Sequence, residues 1–220
     1  LEKEYHKKYD EDYLDRNLED YLNDLNKFKS ENTDDLSALT LEEYTGKEEI
    51  QPRPWVVFGW ILKKTLTLIV GQPGIGKTML MHMIAWCLCT GIKILGKEVL
   101  ERGNVLILCP EETKNEIRMR LKAMSQFLGK SDGKFKIFIR GIEDAIKLVK
   151  FGATDASPTK DYKRLKKALK IQDVKYIILD PLISFQTGNY DENSNQKMEQ
   201  YVKTYLIPIA VETDGSIIAG

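Results

Sequence analysis

The stretch Gly71-Gln72-Pro73-Gly74-Ile75-Gly76-Lys77-Thr78 fits the pattern G-x-x-x-x-G-K-[ST], and each fixed position answers a chemical need. Glycines let the backbone turn its N–H groups inward and approach phosphate oxygens with no Cβ in the way. A helix opening at Lys77 adds the positive end of its dipole, about half an elementary charge. Lys77 can reach β- and γ-phosphate oxygens, and the Thr78 hydroxyl suits Mg2+. Gly71 through Met79 are therefore the candidate nucleotide contacts. A dinucleotide loop is excluded, because Met79 stands where its third glycine belongs. The metal of such a site needs a second oxygen donor, and Asp180, closing the apolar run "YIILDP", is the candidate beside Thr78. Between the two, "NVLILCPEET" puts Glu111 and Glu112 at the end of another strand. A carboxylate there can orient and deprotonate water. Lys77, Glu111 and Glu112 are the candidate catalytic residues, with ATP and Mg2+ as the expected ligands.

The elements that must position these groups follow from hydrophobic patterning. Apolar runs predict a buried strand over Thr65–Val70 and further strands over Asn104–Cys109, Phe135–Arg140 and Lys175–Asp180, with a fifth beginning in "SIIAG" at Ser216. Helical spacing predicts helices over Lys77–Thr90 and Lys114–Leu128, and a basic helix from near Pro158. A last helix, over about Ser194 to Asp214, should be kinked at Pro208. Lys147–Ser157 gives only a weak signal. Apolar strands separated by helices mean an α/β fold whose mostly parallel sheet is covered on both faces.

Net charge is zero, but it is unevenly spread. Residues 1–50 hold 16 acids and 7 bases, leaving 17 acids and 26 bases in the rest. An acidic arm thus precedes a mildly basic body, which allows attraction between the two or to a polyanion. Residues 1–29 read as an amphipathic helical arm, with Leu14, Leu18, Tyr21, Leu25 and Phe28 at helical spacing. Residues 30–54 read as a linker and 55–220 as the catalytic domain. No apolar run reaches the ~18 residues of a membrane span, so a cytoplasmic chain with no membrane partner is expected. Cys87, Cys89 and Cys109 lack a metal-binding C-x-x-C spacing and read as reduced core thiols. His82 reads as a packing residue behind the loop.

The four stretches "LTLIVGQPGIGKTML", "GNVLILCPEETKNEIRMRLKAM", "YIILDPLISF" and "IAVETDGSIIAG" together resemble the RecA-like ATPases of the plasmid replicative helicase RepA type, which are related to DnaB-like helicases. The resemblance runs from about Trp55 to Gly220 and implies a three-layer RecA-like P-loop fold. In AAA+ ATPases the water-orienting Glu directly follows the strand-end Asp, whereas here Pro181 follows Asp180. The RecA-like pattern takes that Glu from the strand after the loop's helix, which favours Glu111 over Glu112. The resemblance also implies a homo-oligomeric ring, a hexamer among the possible sizes, moving on single-stranded DNA. The family's later strands, γ-phosphate-sensing residue and arginine finger are expected beyond Gly220, so the chain is expected to bind nucleotide yet hydrolyse it poorly.

The nucleic-acid signal is mixed. The segment from Pro181 to Gln196 has no Lys or Arg, so it is a poor phosphate clamp; Phe185 and Tyr190 are its only candidates for base stacking. Lys160, Lys163, Arg164, Lys166, Lys167 and Lys170 on the basic helix are the better polyanion candidates. An ATP-dependent oligomeric switch without a nucleic-acid partner is the main alternative to a motor, and a small-molecule kinase a weaker one.

Overall fold

Strands β4 (Asn104–Leu108), β8 (Val174–Leu179) and β10 (Ser216–Ala219) are buried almost along their whole length, as runs of Val, Ile and Leu must be when both sheet faces are covered. They form the middle of a five-stranded sheet ordered β3-β10-β8-β4-β5, with β3 at Leu66–Leu68 and β5 at Ile137–Arg140. All neighbours run parallel. The computed structural model describes residues 23, 44–47, 49–152, 155–188 and 195–220. Most of the expected arm and of the linker, and Tyr190, lie outside the described residues. Pro52–Gly220 forms one compact unit.

Period-two alternation splits the strand side chains between two cores. Val105, Ile107, Tyr176, Ile178 and Ile218 face helix α1 (Lys77–Thr90), where Met81, Ile84, Ala85 and Leu88 meet them. Helix α2 (Lys114–Leu128) adds Ile117 to this side. Leu106, Leu108, Ile177, Leu179, Ile217 and Ala219 face the other way, toward Tyr162, Leu165 and Leu169 of α3 (Lys160–Ile171). The helices stop and start where their ends are satisfied. Gly91 closes α1 in the left-handed region, its N–H donating to the Cys87 carbonyl at 2.7 Å. The Thr113 and Thr159 hydroxyls cap α2 and α3 by accepting from Glu116 and Tyr162 N–H.

Three expectations need correction. Thr65–Val70 is not a buried strand: β3 is a three-residue edge strand paired only with β10, and Leu68 and Val70 are exposed. The weak Lys147–Ser157 region contains two short strands, β6 (Val149–Phe151) and β7 (Ala156–Pro158). These join β9 (Gln186–Gly188) in a side sheet ordered β7-β6-β9. The last helix is three pieces: α4 (Asn195–Gln200), a π-helical turn over Tyr201–Leu206, and α5 (Ile207–Glu212). Pro208 has no N–H to give an i→i−4 bond, and the widened turn just before it absorbs that loss. A small antiparallel hairpin, β1 (Trp55–Val57) with β2 (Ile61–Leu62), precedes the sheet. No helix among the described residues is long and apolar enough to cross a membrane.

Candidate nucleotide-binding site

One row of the sheet explains how distant parts of the sequence meet. Leu68, Ala219, Leu179, Leu108 and Arg140 are register partners across the five strands. The residues just beyond that row are the loop from Gly71, then Gly220, Asp180 and Cys109–Glu112. In a parallel sheet all of these emerge at the carboxyl edge, where ligands of open α/β sheets bind.

The loop is exposed from Gly71 to Gly76. Gly74 and Gly76 have φ of 81° and 93°, a region where a Cβ is strained. At Gly71 a Cβ would fall 2.3 Å from Ile75 Cδ1. The Lys77 ammonium bridges the loop, donating to the carbonyls of Gly71 at 2.8 Å and Gln72 at 3.0 Å. Thr78 hydrogen-bonds the Asp180 side chain. Asp180 is 5% exposed. Burial pushes its carboxyl above the usual range, while the Thr78 hydrogen bond and the charges of Lys77 and Arg120 pull it down. Its Oδ2 has no hydrogen-bond partner. The structure therefore brings Lys77, Thr78 and Asp180 together. A buried carboxylate oxygen without a partner, beside a hydroxyl, fits a hard cation such as Mg2+. Strand β10 closes in from the side: a Cβ at Gly220 would lie 3.0 Å from Asp180 Oδ1.

The two glutamates separate. Glu111 is exposed at the mouth of the site. Glu112 turns inward: its Oε1 lies 2.6 Å from Arg120 Nη2, and its side chain is 14% exposed. Burial pushes the Glu112 carboxyl up, with Arg120 opposing. Arg120 also lies 3.6 Å from Glu116 and approaches Met79 Sδ at 4.0 Å. Sequence reasoning gave Arg120 no role at the site; only the fold shows that it reaches Met79 in the first turn of α1. It also missed Gly220, whose close approach to Asp180 has no local signal.

Other candidates lie elsewhere. Phe185 is buried and packs in the core, so it does not offer a face to a base. On α3, Lys160, Lys163, Arg164, Lys167 and Lys170 are exposed; Lys166 pairs with Glu212 at 2.6 Å and Arg164 with Asp161 at 3.5 Å. An apolar hollow of about 370 Å³, lined by Leu106, Phe138, Leu165 and Leu169 among others, contains no residue of the loop. It sits on the α3 side of the sheet.

A model of the AAA domain family matches residues 32–219. Over 84 residues the chain is 39% identical to the Holliday junction branch migration complex subunit RuvB of Campylobacter fetus subsp. fetus (strain 82-40). That match covers 36% of this chain and spans only 24% of the length of the relative.

Proposed function

The chain belongs to the AAA domain family, a P-loop ATPase of the RecA-like/AAA kind, and from that premise we propose that it is the ATP-hydrolysing motor domain of a replicative helicase-like protein acting on single-stranded DNA. The observation that carries the ATP reading is the convergence of Lys77, Thr78 and the partnerless Asp180 oxygen at the mouth of a glycine-bearing loop. In this reading the loop amides and the α1 N-terminus bind the phosphates. Lys77 exchanges its two loop carbonyls for β/γ oxygens. Thr78 and Asp180 would hold Mg2+, which when bound neutralises charge on the phosphates. Glu111, exposed and without a cationic partner among the described residues, orients the attacking water, while Glu112 is tied to Arg120.

Substitution tests the roles. Lys77→Ala should abolish nucleotide binding or turnover. Glu111→Gln should bind ATP normally and lose turnover by about 100-fold or more. If Glu112→Gln loses turnover and Glu111→Gln does not, Glu112 is the base. The motor reading gains support from the relative's printed role at a Holliday junction, and from the resemblance to RepA-type ATPases we propose with it a ring-forming homo-oligomer. We take residues 55–220 as the catalytic domain, 30–54 as linker and 1–29 as a helical arm docking on a neighbouring subunit. One observation favours the alternative of an ATP-dependent switch: Phe185 is buried, in a segment without Lys or Arg. ATP-stimulated, salt-sensitive binding of single-stranded DNA by the oligomer separates the two; its absence rejects the motor.

A further inference from the structure

One helical turn beyond Thr78, on the same face of α1, His82 is fully buried and neither ring nitrogen has a hydrogen-bond partner. An imidazole in that state forfeits two polar contacts, which costs stability. Something should meet it. What faces it is Cys109 Sγ and the Glu112 carboxylate, with donor atoms of all three residues within 4.8 Å of one another. Cys109 is 2% exposed and its thiol is free. Glu112 gives Oε1 to Arg120 and keeps a buried Oε2 without a partner.

We propose that His82, Cys109 and Glu112 form a second cation site, distinct from the Thr78/Asp180 position, that takes Zn2+ or a similarly borderline-soft divalent metal. One nitrogen, one sulfur and one oxygen donor make a set that Zn2+ accepts with a fourth position left for water, and that Mg2+, which needs all-oxygen surroundings, does not. The surroundings suit the role. Burial and the charges of Glu112 and Asp180 push the Cys109 thiol up to about 12, with the backbone N–H groups of Glu111 and Glu112 pulling the other way, so the thiol keeps its proton until a cation takes its place. Arg120 on Oε1 is the kind of outer contact that orients a ligating carboxylate while Oε2 turns to the metal. Burial and the nearby Arg120 push His82 down to about 4, so its ring is neutral and holds a lone pair at physiological pH. The Arg120 charge opposes a cation here, and Asp180, which acts on both Cys109 and Glu112, offsets it. On binding, the metal displaces the Cys109 thiol proton to solvent and forms the metal–sulfur bond. The ligands come from α1 and from the turn after β4, so the ion would pin the Glu111-bearing turn to the helix that opens at Lys77. Sequence spacing hides such a site because His82 and Cys109 belong to different elements.

The test uses the whole chain stripped of metal and titrated with Co2+. One equivalent should bind and give a thiolate-to-cobalt charge-transfer band, which the sulfur-free Thr78/Asp180 position cannot produce. Cys109→Ser should remove the band, Cys87→Ser and Cys89→Ser should leave it, and His82→Gln should weaken binding at least about 100-fold. X-ray absorption of the wild-type Zn2+ complex should show one sulfur among nitrogen and oxygen donors, a readout that survives if a variant fails to fold. No thiolate band in the wild type, a band that persists in Cys109→Ser, or a zinc shell of oxygen and nitrogen alone would overturn the proposal. ATP turnover enters none of these outcomes.

Discussion

Asp180 shows how one side chain is held against its own preference. It is nearly buried, its Oδ2 is partnerless, and burial outweighs Thr78, Lys77 and Arg120 in setting its proton affinity. Before ligand arrives this is a liability, since a buried carboxylate oxygen without a donor costs free energy. Asp180→Asn removes the charge while keeping the shape. The nucleotide-free variant should melt about 2–4 °C higher at neutral pH, a gain of about 1 kcal/mol, and should lose the tightening of ATP by Mg2+. A lower melting temperature would mean that the Thr78 and Lys77 contacts outweigh burial. The two glutamates teach a related lesson. Adjacent in sequence and alike in type, they occupy separate environments, because Arg120 pairs with Glu112 while Glu111 is exposed.

At the scale of elements, caps and end-of-sheet ion pairs hold the strands in the register that aligns the site. Thr113 caps α2 directly after Glu112, so Thr113→Ala should cost about 1 kcal/mol of stability and slow turnover by loosening the turn that bears both glutamates. Thermal melts and ATPase assays on the same sample check both. At the opposite edge of the sheet Glu101 lies 2.6 Å from Lys175 and 2.8 Å from Lys63, and Lys63 lies 2.9 Å from Asp214. Burial alone would raise the Glu101 carboxyl, but hydrogen bonds from Lys175 and Lys63 lower it on balance. A depressed carboxylate contributes stability that is present above its unfolded value, near 4.5, and is lost as pH falls through the folded value. Glu101→Gln should therefore lower the melting temperature at pH 7 and flatten its decline between about pH 5 and 3; the partly exposed pairs set the effect near 1 kcal/mol. Elements with long periodic signals were legible. Helices α1 and α2 span the residues that helical spacing predicts, and the β4, β8 and β10 runs could be read because both faces of each are apolar. The three-residue strands of the side sheet are too short for alternation to register, and β6 pairs with β9 between residues 37 positions apart, a contact that no local pattern encodes. The π turn likewise answers to packing: Tyr201, Tyr205 and Leu206 are all buried, and Pro208 fixes only where the regular ladder must fail. The His82, Cys109 and Glu112 juxtaposition was illegible for the same reason as Arg120, being a product of tertiary folding.

For the whole molecule, charge distribution is the feature that bears on partners. The basic face of α3 leaves Lys160, Lys163, Lys167 and Lys170 exposed on the side of the sheet away from α1. If single-stranded DNA binds there, Lys163→Gln with Lys167→Gln should reduce the slope of log affinity against log salt by roughly 1.4, the share of two phosphate contacts; an unchanged slope places the strand elsewhere. The sheet order carries a further consequence. β3, which leads into Lys77 and Thr78, and β8, which ends in Asp180, are not neighbours, because β10 runs between them. Two strand spacings, about 9.5 Å, separate the carboxyl ends of β3 and β8, and the loop after β3 spans that gap to bring the Thr78 hydroxyl to the Asp180 side chain. The placement of the loop's strand relative to the Asp180 strand is thus set by a third strand, β10. Its end is gripped on the Asp180 side, where Gly220 N–H donates to Leu179 and its carbonyl accepts from Leu182. A displacement of β10 therefore moves the strand that leads into the loop and the strand that ends in Asp180 relative to one another, because both are hydrogen-bonded to it.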